Sequence, residues 1–210
     1  MTYPRSGNTF LRKYLEIITG VTTGSEVEAS VWHLPLIGEN IVDDSVWIIK
    51  SHGPIARVRT CEDFKMNKII VLMRNPFAVI ISMVHMCLMY SHFKQVDHDF
   101  AKENPKFWQL FIEQQVKWQK DFYDYVFEIQ KTQNVPILFL KFEELKDEPK
   151  KTLTDTFKFM LGVDDLSGTV VERRIDEAIE ADKKGETQAY KIKPMQEGYK
   201  THEDMFSEAQ

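Results

Sequence analysis

With 210 residues, 43% of them hydrophobic and 28% charged, the chain has the makings of one sizeable folded core and not the composition of a disordered protein. A formal net charge of −5 excludes a chain whose main work is coating nucleic acid, although a few local cations and backbone N–H groups suffice to hold a small anion. No run reaches the ~18 apolar residues that a membrane-crossing helix needs: the longest, Phe77 to Tyr90, is interrupted by Ser82 and His85.

The chain opens on Tyr3-Pro4-Arg5-Ser6-Gly7-Asn8-Thr9-Phe10, with no signal-peptide pattern before it. Phe10, Leu11, Tyr14, Leu15 and Ile18 recur at helical spacing, which predicts a helix capped by Asn8 or Thr9 and ended by Gly20. A turn running straight into a helix makes free N–H groups and the positive helix end converge on one place. Gly7 permits close backbone approach, Ser6, Asn8 and Thr9 add donors, and Arg5 adds a permanent charge, so the segment reads as an oxyanion cradle. An ordinary turn and helix cap explains the same segment taken alone. It is not a Walker A loop, because no Gly-Lys-Ser/Thr occurs in it.

Val46-Trp47-Ile48-Ile49 predicts a short strand that delivers Lys50, Ser51 and His52 at its end, with Gly53-Pro54 as the stop. Alternation along the strand puts Lys50 and His52 on one face. Ile69 to Met73 is a continuous apolar run suited to a buried parallel strand, and it ends at Arg74. Asn75 as cap and Pro76 at the first position start a helix running towards Leu88. Ser82 lies about two turns into that helix, within reach of the long Arg74 side chain.

From Pro105 to Gln130 an amphipathic helix is expected to bury Trp108, Phe111, Trp118, Phe122, Val126 and Ile129. Val135 to Leu140 is the next strand, followed by Lys141-Phe142-Glu143-Glu144-Leu145 and a helix from Pro149 to Gly162. Beyond Arg173 the chain turns polar and no ordered element is evident. Residues 1–165 are therefore read as the main domain, and 166–210 as a polar extension belonging to it or packed on it. Cys61 and Cys87 lack metal-site spacing and are read as reduced thiols, although a single disulfide stays open. His33, His85, His92, His98 and His202 have no chemical context and are read as structural or exposed.

The segment Tyr3 to Phe10 resembles the 5′-phosphosulfate loop of the sulfotransferases that use 3′-phosphoadenosine 5′-phosphosulfate (PAPS), usually Tyr-Pro-Lys/Arg/Gly-Ser-Gly-x-Thr-Trp. Its continuation through Leu11-Arg12, Leu15-Glu16, Thr19-Gly20 and Thr23-Gly24-Ser25 is similar to the WSC-domain-containing and related eukaryotic members. Arg74, followed eight positions on by Ser82, resembles the 3′-phosphate motif, and Lys50-Ser51-His52 resembles the family's Lys-Thr/Ser-His segment.

The resemblance implies a P-loop-like, three-layer α/β domain with a short, mostly parallel sheet flanked by helices. It implies that Arg5, Ser6, Gly7, Asn8 and Thr9 hold the 5′-phosphate and sulfuryl oxygens, with Phe10 replacing the Trp that lies against the adenine. Arg74 and Ser82 would hold the 3′-phosphate and so select PAPS over ATP. His52 would act as general base, with Lys50 and Arg5 neutralising developing charge, and no metal is expected.

Lys141 to Lys146 resembles Tyr-Glu-Asp-Leu-Lys, with Phe142 in place of the Tyr and hence an altered role in donor binding. Two features depart from the family. Only Met1-Thr2 precede the loop, which raises the expectation of a sheet short of its first strand, as in a fragment or truncated relative. The late Arg-Lys-Gly…Gly-Asp-Trp segment has only a faint echo in Lys183-Lys184-Gly185-Glu186-Thr187, which is assigned no role.

The expected activity is sulfuryl transfer to a small-molecule or carbohydrate acceptor through a hydroxyl or amine. A catalytically impaired binding relative and a P-loop kinase or NTPase stay open as alternatives. Location is left open: cytoplasmic for a complete chain, Golgi for one with an upstream anchor.

Overall fold

The structure, a computed structural model, describes residues 1–26, 37–54, 66–89, 96, 99–186 and 206. Its sheet is built from two parallel pairs. Strand β1 (Gly24–Ser25) pairs with β2 (Ile49–Lys50), and β3 (Ile69–Met73) pairs with β4 (Ile137–Lys141) in the register Ile69↔Ile137 to Met73↔Lys141.

Met1 and Thr2 join the pairs. Thr2 N donates to Ser51 O at 3.0 Å, Leu72 N donates to Met1 O at 3.2 Å, and Thr2 bridges Leu72 in parallel. Two residues thus stand where a strand between β2 and β3 would lie. The chain from Tyr3 onward therefore leaves the sheet at the same carboxyl edge as Lys50-Ser51-His52 and Arg74, the edge at which open α/β sheets bind ligands.

Side-chain alternation along β3 divides the core into two layers. Ile69 and Val71 pack with Val79 and Met83 of α2 (Pro76–Met89) and with Phe122, Val126 and Ile129 of α4 (Pro105–Thr132). Leu72, with Leu140, faces the opposite layer. That layer contains α1 (Asn8–Thr19), α5 (Phe142–Asp147), α6 (Pro149–Leu161) and α7 (Val170–Lys183), through Leu15, Leu145, Leu153, Phe157 and Ile175. Helices on both faces of a parallel sheet give the expected three-layer α/β architecture. A short α3 (Phe100–Glu103) precedes α4.

Most helix boundaries follow their local chemistry. Asn75 Oδ1 accepts from Phe77 N at 2.9 Å and Ala78 N at 3.4 Å, capping α2 as its sequence predicts. Gly20 and Gly162 end α1 and α6 in left-handed conformation.

Three expectations are corrected. The cap of α1 is Gly7, at φ 95°, and not Asn8 or Thr9: no side chain bonds the first turn. The apolar run Val46–Ile49 is strand only at its last residue: Val46 N bonds Asp43 O and closes the preceding turn, and the strand is confined to Ile49–Lys50. On α4 the buried stripe passes through Gln115 and Gln119, leaving Trp118 39% exposed. Gln115, Gln119, Phe122 and Val126 lie three or four residues apart on one face, whereas Trp118 is rotated off it.

Cys87 is an exposed free thiol, and Cys61 lies outside the described residues. No described helix is long and apolar enough to cross a membrane.

Candidate functional site

The loop Tyr3 to Gly7 is fixed from below and strained from within. Tyr3 is buried, and its hydroxyl donates to Gln115 Oε1 of α4 at 2.8 Å. Burial pushes the Tyr3 phenol far up, so it remains a neutral donor. Arg5 and Gly7 both adopt left-handed backbone, at φ 69° and φ 95°. That conformation is costly for an arginine and natural for a glycine. Gly7 also has no room for a side chain: a Cβ there would lie 2.3 Å from Cδ2 of Phe142.

The strained loop turns polar atoms towards one another without pairing them all. Ser6 is 1% exposed, and its Oγ has no hydrogen-bond partner among the described residues; the same holds for Asn8 Oδ1. Buried polar atoms are nearly always paired in folded proteins, so orphans clustered on one loop mark a place for a ligand. The N–H groups of Asn8 and Thr9 stand ahead of the helical hydrogen-bond ladder of α1 and add free donors of the same sense.

Arg5 and Arg74 brace this loop against α2. Arg5 Nε donates to Ser82 Oγ at 2.9 Å, and Arg74 Nη1 donates to Arg5 O at 2.9 Å. From the sequence, Arg74 was the expected partner of Ser82. In the structure the Arg5 guanidinium reaches that hydroxyl, while Arg74 turns to the Arg5 carbonyl and lies over the Phe142 ring, 4.8 Å from its centroid. The neighbouring Asn75 N donates to Glu143 Oε1 at 2.9 Å. The dipeptide Phe142-Glu143 therefore supports both halves of the site, Gly7 through the ring and the Arg74-Asn75 corner through ring and carboxylate.

Phe10 is oriented differently from expectation. It is 3% exposed, edge-on to Tyr14 at 5.2 Å and to Phe142 at 5.9 Å, and thus faces the core instead of an open surface.

His52 sits beside the loop, and Thr2 is the joint between them. His52 Nδ1 lies 2.8 Å from Thr2 O and 3.1 Å from Thr2 Oγ1, and Asn8 Nδ2 donates to the same Thr2 Oγ1 at 3.2 Å. A carbonyl oxygen only accepts, so the proton is assigned to Nδ1 and the lone pair to Nε2. The side chain keeps some exposure, yet burial of the ring and the nearby Lys50 ammonium pull the imidazole down to about 3, with the Thr2 carbonyl opposing. His52 is therefore neutral at physiological pH.

Lys50 is also pulled down by burial; the carboxylates of Glu39 and Glu26 counteract this, and the Arg12 guanidinium adds to it. Arg12 and Glu39 form a buried ion pair at 2.5 Å, and Arg12 is held further by Thr23 Oγ1 at 2.6 Å and Thr23 O at 2.8 Å. Sequence reasoning passed over Arg12, Glu26, Glu39 and Gln115. Glu26 follows β1 directly, in the position that Ser51 takes after β2, and the sequence offers no strand pattern at Gly24-Ser25 that would have flagged it.

Lys183 closes α7, paired with Glu180 at 2.7 Å, and Thr187 lies outside the described residues. His85 is buried in α2 and accepts from Val96 N at 3.0 Å; His33, His92, His98 and His202 lie outside the described residues. Among the described residues, no three His, Cys, Asp or Glu side chains are grouped to hold a metal ion.

Comparison with known proteins adds two findings. The profile of the sulfotransferase domain matches residues 1–207. The crystal structure of mouse sulfotransferase SULT7A1 complexed with PAP is similar in fold, with a TM-score of 0.54 at 20% sequence identity. The match covers 91% of this chain and 65% of the mouse chain, so the present chain spans less than two thirds of that protein's length.

Proposed function

This chain belongs to the sulfotransferase domain family, and on that premise we propose that it is an enzyme moving the sulfuryl group of PAPS onto a hydroxyl or amine of a small-molecule or carbohydrate acceptor. The observation that carries the reading is the junction at Thr2, which bonds the His52 ring through its carbonyl and the anion loop through its hydroxyl. It sets a lone-pair nitrogen beside an oxyanion cradle.

The loop residues fit the donor on structural grounds. Ser6 Oγ is a buried hydroxyl awaiting a partner, and Gly7 leaves the backbone bare. Ser6 Oγ and the N–H groups of Gly7, Asn8 and Thr9 would donate to the 5′-phosphosulfate oxygens, with Phe10 supporting the loop from the core. Arg74 and Ser82 would take the 3′-phosphate, for which a planar guanidinium is suited. That pair disfavours ATP, which has no phosphate at the 3′ position.

PAPS supplies an electrophilic sulfur and a phosphate leaving group. His52 Nε2 takes the acceptor's proton as the acceptor oxygen or nitrogen bonds to sulfur, and the sulfur–oxygen bond to the phosphate breaks with its electron pair staying on the phosphate oxygen. Lys50 and Arg5 offset the negative charge that accumulates there. The low basicity of His52 belongs to the ligand-free site. Negative charge brought in beside Lys50 offsets the ammonium's share of that depression and raises His52, while burial of the ring, the larger cause, remains.

The test is release of adenosine 3′,5′-bisphosphate from PAPS across a panel of hydroxyl, amine and carbohydrate acceptors. Acceptor-dependent release that disappears in His52→Ala supports the reading. Absence of release with every acceptor, in protein that still binds the bisphosphate, would leave a donor-binding protein without transferase activity.

A further inference from the structure

Glu26 is fully buried at the end of β1 and has no part in the mechanism above. Its contacts with the segment bearing Lys50 and His52 are reciprocal. Glu26 N donates to Lys50 O at 3.1 Å, and Glu26 Oε1 accepts from His52 N at 2.8 Å. The register explains the reach: Ser25 is paired with Lys50, so the next residue falls alongside Ser51 and His52. The second carboxylate oxygen, Oε2, is buried without a partner among the described residues. A carboxylate buried in this state persists only where a nearby cation compensates it.

The charges around Lys50 identify that cation. Glu39 faces it from the loop after residue 37, Arg12 from α1, Glu26 from the end of β1, and His52 from its own segment, with the Met1 ammonium beyond His52. Glu39 is already engaged by Arg12 at 2.5 Å. Glu26 adds to Glu39 in favouring the charged form of Lys50.

We propose that Glu26 is a positioning residue of the transfer site: its backbone and Oε1 clasp the end of β2 so that Lys50 and His52 hold their relative place. This rests on the assignment of Lys50 and His52 to sulfuryl transfer.

Glu26→Gln keeps the size and the Oε1 acceptor but removes the charge, and Glu26→Asp keeps the charge but shortens the reach to His52 N. The first readout is the titration of the Lys50 ammonium by NMR in ligand-free protein. In Glu26→Gln its midpoint should fall by about one pH unit, since removing an anion disfavours the ammonium. In Glu26→Asp it should stay, while the His52 amide resonance moves. The second readout is the affinity for adenosine 3′,5′-bisphosphate against pH, whose alkaline decline should move to lower pH in Glu26→Gln. A His52 amide resonance unmoved in folded Glu26→Asp, or an unchanged Lys50 midpoint in folded Glu26→Gln, would overturn the proposal. Failure of the wild type to bind the bisphosphate would instead overturn the assignment of function, and the ligand-free titration would still decide the role of Glu26.

Discussion

Arg5 Nε and Ser82 Oγ are 2.9 Å apart, joining a loop residue in left-handed backbone to the second turn of α2. The same Arg5 offers its carbonyl to Arg74, so the parts assigned to the two ends of the donor are mechanically one unit. Loss of any member should be felt at both ends.

Ser82→Ala removes the acceptor of the Arg5 guanidinium. A hydrogen bond to a charged group is worth about 1.5–3 kcal/mol, so affinity for adenosine 3′,5′-bisphosphate should fall by roughly tenfold or more. Calorimetric titration checks this. An unchanged affinity would mean that Ser82 only braces the ligand-free loop.

Gly7→Ala faces two obstacles, the positive φ and the Phe142 ring at 2.3 Å from the new Cβ. Left-handed backbone at a non-glycine residue costs on the order of 1 kcal/mol or more, and the clash adds to it. Urea denaturation should show destabilisation of about 1–3 kcal/mol. Relative to Phe142→Ala, adding Gly7→Ala should cost less than it does in the wild type, because only the backbone penalty remains.

His52 governs part of the acid sensitivity. Its folded-state value of about 3 lies below the ordinary histidine range, so the unfolded chain binds a proton there that the folded protein does not. Stability contributed by this group is present above roughly pH 6.5 and is lost as pH falls from there towards 3. His52→Gln should flatten the stability–pH curve in that window by at most about 1.4 kcal/mol per pH unit. Denaturation midpoints between pH 4 and 7, about the span of the window, measure the difference.

Lys13 of α1 is buried and paired with Asp182 of α7 at 2.5 Å, and Tyr14 donates to the other oxygen of the same carboxylate at 2.9 Å. Asp182→Ala would leave a buried ammonium uncompensated and should cost about 3 kcal/mol in urea denaturation. Lys13→Met/Asp182→Leu, an apolar replacement of the pair, should cost less.

What the sequence disclosed depended on how local the causes were. β3 and the start of α2 were legible because five consecutive apolar residues and an Asn-Pro pair define them without outside help. The end of α6 was equally plain at Gly162. Met1-Thr2 as a strand was not legible, since two residues carry no periodicity and gain strand character only from Ser51 and Leu72. α7 was hidden by its charges: Ile175, Ala178 and Ile179 are its buried residues, and Glu, Asp and Arg surround them. In the site, residue types and motif spacing pointed to Arg5, Lys50, His52, Arg74 and Ser82. The exchange of partners between Arg5 and Arg74, the core-facing Phe10 and the buried Glu26 arise from tertiary packing, which no local pattern records.

The most direct test of the donor site is thermal unfolding with and without adenosine 3′,5′-bisphosphate, with ATP as control and Arg74→Ala alongside the wild type. At about 100 times its dissociation constant the bisphosphate should add roughly 2.7 kcal/mol, a shift of several degrees for a domain of this size. The account predicts stabilisation by the bisphosphate, none by ATP, and loss of the effect in Arg74→Ala. A folded wild-type protein whose unfolding is unmoved by the bisphosphate would contradict it.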